Sequence, residues 1–156
     1  MRVRRKRAER RGTAAVEFVV VLPFLVPLLI GLWEVGRLVE VMQVLNNAAR
    51  DGGRQIATGN VSISTAQTEV VNLLARNGIT ATASQVSISN VTNPSRNDPT
   101  TCNQMDQWHV QVQIPFNSVR WILLSQITNI TTLTGQADWF SMKDVPISVN
   151  TTIPNQ

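Results

Sequence analysis

The stretch TAAVEFVVVLPFLVPLLIGLW, residues 13–33, holds a single charge, Glu17, in twenty-one positions. At 1.5 Å per residue a helix of this length covers about 31 Å, the thickness of a bilayer hydrocarbon core. Trp33 stands at its far end, where an indole favours the membrane interface. Before it, residues 1–11 carry Arg2, Arg4, Arg5, Lys6, Arg7, Arg10 and Arg11 against Glu9 alone, a local charge of +6. The whole chain sums to +4, so the remainder is slightly acidic at −2. A basic tail can bind nucleic acid, but one that abuts an apolar run marks the cytoplasmic flank of a membrane helix. Nucleic acid is therefore not an expected partner. The same rule places the N-terminus in the cytoplasm and the C-terminal part outside. A cleaved secretory signal fits less well, because the run is long and GLWEVGRLVEV offers no A-x-A-like site.

Pro23 and Pro27 each remove a backbone donor, so local loosening is expected around residues 19–27. Past Trp33 the pattern becomes amphipathic. Val35, Leu38, Val39, Met42, Leu45, Ala48 and Ala49 recur at helical spacing, with charged and amide residues between them. This stripe needs a partner surface, and the rest of the chain is the natural one. Gly52 and Gly53 read as the stop, which gives a helix over about residues 13–50.

The remaining chain alternates between helix and strand signals. TAQTEVVNLLARNG predicts a helix at 65–77, capped by Thr65 and ended by Asn77-Gly78. SQVSISNV alternates as a strand. Residues 92–106, polar with two prolines, read as a loop. WHVQVQIPF puts Trp108, Val110, Val112 and Ile114 on one face and His109, Gln111 and Gln113 on the other, the pattern of a half-buried antiparallel strand. SVRWILLSQI, 118–127, fits a short helix or an interfacial patch. TTLTGQADWF and VPISVNTTI read as further strands. The fold class expected is thus α+β: a long N-terminal transmembrane helix, continuing as an amphipathic stalk, packed on a small antiparallel sheet with short helices.

The chain lacks a G-x-G-x-x-G run, a P-loop and a nucleophile elbow. One cysteine, Cys102, makes no internal disulfide, and with the one histidine it forms no metal cluster at ligand spacing. Cys102 reads as a packed or loop thiol, with an intermolecular disulfide open to it in an oxidising compartment. His109 reads as a solvated or edge histidine. Neither an enzyme activity nor a cofactor is expected.

Glu17 remains to be explained. A carboxylate at mid-span costs about 2.5–3.5 kcal/mol on insertion scales, and less near an end. It is the fifth residue after Gly12, which closes the basic cluster. This arrangement resembles the processing site of type IV pilin-like precursors, in which a basic leader ends in glycine and the fifth mature residue is glutamate. More closely, the chain resembles the TadE-like family of minor pseudopilins in tight-adherence (Flp) pilus assembly. The matching residues are Arg10-Arg11-Gly12, then Ala14, Ala15, Val16, Glu17 and Phe18, Leu22-Pro23, Gly31, Glu34, Gly36-Arg37, and Asn47, Ala48, Ala49, Arg50, Asp51, Gly52 and Gly53 with Arg54.

The resemblance implies cleavage between Gly12 and Thr13 by a prepilin peptidase. It implies that Glu17 meets the new α-amino group of a neighbouring subunit. Its expected partners are the lipid bilayer, other pilins and pseudopilins, and the pilus assembly platform, at the inner membrane. The expected organisation is a basic leader at 1–12, a transmembrane helix at 13–35, an amphipathic extension at 36–53 and an extracytoplasmic domain at 54–156. The other reading is an unprocessed, membrane-anchored binding domain in which Glu17 is incidental.

Overall fold

The computed structural model describes the backbone of residues 3–119 and 130–143, and side chains from Thr13 onward. Five principal elements follow one another: α1 (Val3–Ala57), α2 (Ile63–Arg76), β1 (Val86–Asn90), β2 (Gln107–Pro115) and β3 (Thr132–Phe140), with short 3-10 turns at Ala83–Gln85 and Phe116–Ser118. Among the described residues, one compact unit is α1 up to Val39, and a second takes in Glu40 to Val119 and Ile130 onward. The stretch 118–127 lies mostly outside the described residues, and VPISVNTTI lies wholly outside them.

Helix α1 is unbroken through Pro23 and Pro27, so the loosening expected there is not seen. It also runs through Gly52 and Gly53, which do not stop it. Both glycines are buried, and a neighbour passes close to each. A β-carbon on Gly52 would stand 2.7 Å from Val70 Cγ2, and one on Gly53 would fall into the Trp139 ring, 2.7 Å from its Nε1. They serve close approach, not termination. The stop comes later, where Gly59 takes φ +70° and donates its N–H to Ile56 O at 3.0 Å. Thr58 Oγ1 adds a bond to Gln55 O at 2.7 Å.

Within the second unit the stalk buries Val41, Leu45, Ala48, Ala49 and Ile56, while Val39 and Met42 stay exposed. The stripe is therefore turned slightly from the one expected, with Val41 in place of Met42. Helix α2 begins earlier than expected because Ser62, not Thr65, is its cap: Ser62 Oγ accepts from Thr65 N at 3.2 Å. It buries Ala66, Val70 and Leu74, and ends at Gly78, whose φ is +72°.

The three strands are antiparallel in the order β1-β2-β3. The period of two read from WHVQVQIPF holds: Trp108, Val110, Val112 and Ile114 are fully buried, and Val86, Ile88 and Leu133 join them in the core. Side chains occupy exposed backbone positions of the outer strands. Gln67 Nε2 donates to Val86 O at 2.8 Å, and Gln136 N donates to Asn46 Oδ1 at 3.2 Å.

The opposite face is polar, and His109 lies on it. It is not an edge histidine, because β2 is the middle strand. Register places Asp138 beside it, with Oδ1 2.8 Å from Nδ1.

The loop between β1 and β2 is built around one carboxylate. Asp106 Oδ2 accepts from Asn90 Nδ2 at 3.0 Å and Asn103 N at 3.0 Å, and Oδ1 accepts from Asn93 Nδ2 at 2.7 Å. Burial pushes the Asp106 pKa upward, but the bonds from Asn90, Asn103 and Asn93 and the charge of Arg96 outweigh it, so the net shift is downward. The unfolded chain therefore binds the proton more readily. The resulting stability is present above the unfolded value, near pH 3.9, and is lost as pH falls through the lower folded value. Asp106→Ala is expected to cost about 2–3 kcal/mol at neutral pH, read by urea unfolding, and to flatten the acid limb of the stability curve.

Candidate functional site in the N-terminal helix

Gly12 lies in the backbone of α1, nine residues after its first residue, with no turn or break at the Gly12-Thr13 bond. The side chains that follow, Thr13, Ala14, Ala15, Val16, Glu17 and Phe18, are all exposed. Six consecutive residues pass right round a helix of 3.6 residues per turn, so every side of this segment is open. The same holds further on: Phe24 is 77% exposed and Leu28 68%, which fits a lipid environment and not a protein core. Among the described residues this is the one helix long and apolar enough to cross a membrane.

Glu17 sits inside this apolar surface and makes no hydrogen bond or ion pair with the described residues. Nothing shown on its own chain compensates the carboxylate. Every Cα–Cβ bond of a helix tilts toward its N-terminus, so position 17 lies over the turn containing Thr13.

The other sequence-derived residues divide into two groups. Pro23, Gly31 and Gly36 belong to the apolar helix, and a β-carbon on either glycine would meet no atom within 4 Å. Arg37 is half-buried. Glu34, expected on the polar side, is instead 4% exposed. The residues at 48–54 form a packing block. Ala48 and Ala49 are fully buried, Gly52 admits Val70, and Gly53 admits Trp139. Arg50 and Arg54 face solvent, with Arg54 Nη2 on Asp51 Oδ1 at 3.0 Å and Gln55 Nε2 on Asp51 Oδ2 at 3.1 Å. Small residues thus let the helix approach the sheet, while charged ones hold its outer side in water.

The segment around Glu17 is open on all sides, whereas Ala48, Ala49, Gly52 and Gly53 are buried within the second unit. Sequence reasoning missed the counterparts of the packing block. These are Asn46, which accepts from Gln136 N, and Gly135, whose added β-carbon would stand 2.6 Å from Leu45 Cβ and 2.7 Å from Asn46 N. A glycine within an otherwise regular strand pattern was the available signal for Gly135.

Elsewhere the described residues hold no group of three or more His, Cys, Asp and Glu side chains that could bind a metal ion. Cys102 is buried in its loop, as a packed thiol, with Sγ donating to Pro99 O at 3.1 Å and lying 3.3 Å from Ser141 Oγ.

The model of the family described as TadE-like protein matches residues 12–54. The comparisons with curated proteins and with solved structures gave no match. The matched residues span both groups, from the Gly12-Thr13 bond through Glu17 to the packing block that ends at Arg54. Over this helix, from its exposed carboxylate to its buried alanines and glycines, the chain is similar to the TadE-like family.

Proposed function

We propose that the chain is a pseudopilin-type subunit of a tight-adherence (Flp, type IV-like) pilus or a related secretion machine. It is held in the inner membrane by α1, with the basic end in the cytoplasm and the second unit outside. A prepilin peptidase cuts between Gly12 and Thr13. The mature helix then enters an assembly of pilins and pseudopilins on the membrane platform, where Glu17 finds its charge partner. The chain acts by packing and pairing, without a catalytic site, a cofactor or nucleic acid.

The observation that carries this reading is Glu17 itself, an exposed carboxylate in an apolar helix, unpaired among the described residues and five positions after Gly12. The TadE-like match over the same residues supports it. Glycine is about 1 kcal/mol worse than alanine inside a helix, so Gly12 also marks a place where α1 opens readily for a protease.

The test is co-expression with a prepilin peptidase and N-terminal sequencing of the product. The expected mature chain begins at Thr13. A terminus unchanged in the presence of a peptidase that cuts a control substrate overturns the processing step, and leaves a membrane-anchored outer domain.

A further inference from the structure

The sequence contains four Asn-x-Ser/Thr triplets: Asn60-Val61-Ser62, Asn90-Val91-Thr92, Asn129-Ile130-Thr131 and Asn150-Thr151-Thr152. Such a triplet accepts an N-linked glycan only on an accessible loop outside the cytoplasm. Asn129 and Asn150 lie outside the described residues. The other two differ sharply in their surroundings.

Asn90 is 2% exposed. Its amide nitrogen donates to Arg96 O at 3.1 Å and Asp106 Oδ2 at 3.0 Å, and its Oδ1 accepts from Asn93 N at 2.8 Å. A sugar on that nitrogen would dismantle the loop. Asn60 is exposed in the five-residue connection between α1 and α2, and its side chain makes no hydrogen bond with the described residues. Two open grooves include residues of the connection. One, of about 250 Å³, is lined by Arg54, Gln55, Thr58 and Val61. The other, of about 280 Å³, includes Ser62, Ser64 and Asn97. Ser62 is also exposed and has extended backbone angles, φ −75° and ψ 159°.

We propose that Asn60 is an acceptor for an N-linked glycan, and that Asn90 is excluded by burial. The donor is a lipid-linked oligosaccharide diphosphate, and the catalyst is a membrane oligosaccharyltransferase. Asn60 Nδ2 bonds to the anomeric carbon of the sugar as the bond from that carbon to the diphosphate oxygen breaks. The lipid diphosphate leaves with the bonding pair, and the amide gives up one proton. Ser62 supplies the hydroxyl of the triplet; because it also caps α2 through the 3.2 Å bond from Thr65 N, the first turn of α2 frays when the loop is bound. This inference rests on the outward orientation given under the proposed function.

The test is peptide mapping by mass spectrometry on the full chain, purified from the envelope of its own cell. Trypsin separates the two acceptors, Asn60 in the peptide 55–76 and Asn90 in the peptide 77–96. The first is expected to carry a hexose- or N-acetylhexosamine-containing mass addition and the second none. Asn60→Gln and Ser62→Ala abolish the addition, and Ser62→Thr retains it. Protease digestion of intact spheroplasts reports orientation independently. If the second unit is digested from outside and peptide 55–76 has only its unmodified mass, the glycan inference fails alone. If the unit is protected, the orientation fails and the inference falls with it. A glycan on peptide 77–96 overturns the selection by burial.

Discussion

Gly135→Val is expected to destabilise the second unit by about 3–5 kcal/mol, above the usual range for overpacking. Overpacking a core usually costs about 1–3 kcal/mol, because side chains can shift aside. Here much of the obstruction is backbone. A β-carbon on Gly135 would overlap the carbonyl carbon of Leu45 and stand 2.7 Å from Asn46 N, so relief requires α1 to leave the sheet. That movement would also break the 3.2 Å bond from Gln136 N to Asn46 Oδ1 and loosen the fully buried Leu45. A loss of this size is a large part of a typical domain's 5–15 kcal/mol. Gly53→Ala meets the Trp139 ring first, a side chain and not backbone, and is expected to cost less while altering tryptophan fluorescence. Gly36→Ala meets nothing within 4 Å and is the control, neutral or slightly stabilising. Urea unfolding of the full chain in detergent, followed by near-ultraviolet circular dichroism, measures all three. Equal midpoints for Gly135→Val and Gly36→Ala would refute the close-approach account.

These glycines also show where sequence legibility ends. The strand β2 was readable because burial alternates residue by residue and the letters alternate with it. The long helix was readable because twenty-one residues with one charge admit few other structures. Gly52-Gly53 reads as a stop in the sequence because the same letter serves two physical needs, a left-handed turn and a close contact. Only the positions of Val70 and Trp139, both distant in sequence, separate them. The partner of His109 is hidden for the same reason: Asp138 is 29 residues away, and only strand register brings it to 2.8 Å. The polar loop hid its organisation likewise, since Asn90, Asn93, Asn103 and Asp106 look like ordinary loop residues until they converge on one carboxylate. At the candidate site the balance is reversed. Gly12 and Glu17 stand close in sequence on one helix, so their spacing is already their geometry, and the structure adds that Glu17 is unpaired among the described residues.

Glu17→Ala is expected to insert in the membrane normally and to reduce incorporation into the pilus assembly by at least about 100-fold. Removing the carboxylate lifts an insertion cost of up to about 2.5–3.5 kcal/mol, so a failure downstream cannot be blamed on insertion. Breaking a buried ion pair typically costs about 3–5 kcal/mol, mainly because the surviving charge is left uncompensated; the lower end corresponds to roughly 100-fold in an equilibrium. In this account the surviving charge is the α-amino group at Thr13 of a neighbouring subunit. That group does not exist before the Gly12-Thr13 bond is cut, which makes the two sites dependent on each other. A cleavage-blocked chain with Glu17 intact should therefore be as defective as cleaved Glu17→Ala, and the combination should be no worse than either alone. Independent sites would instead give multiplying defects. Glu17→Gln separates charge from shape: it keeps the length of the side chain and one acceptor oxygen but cannot neutralise an ammonium group, and is expected to fail with the alanine variant. Quantifying each variant in purified assemblies against its amount in the membrane fraction supplies the readout, and normal incorporation of Glu17→Gln would rule out the pairing role.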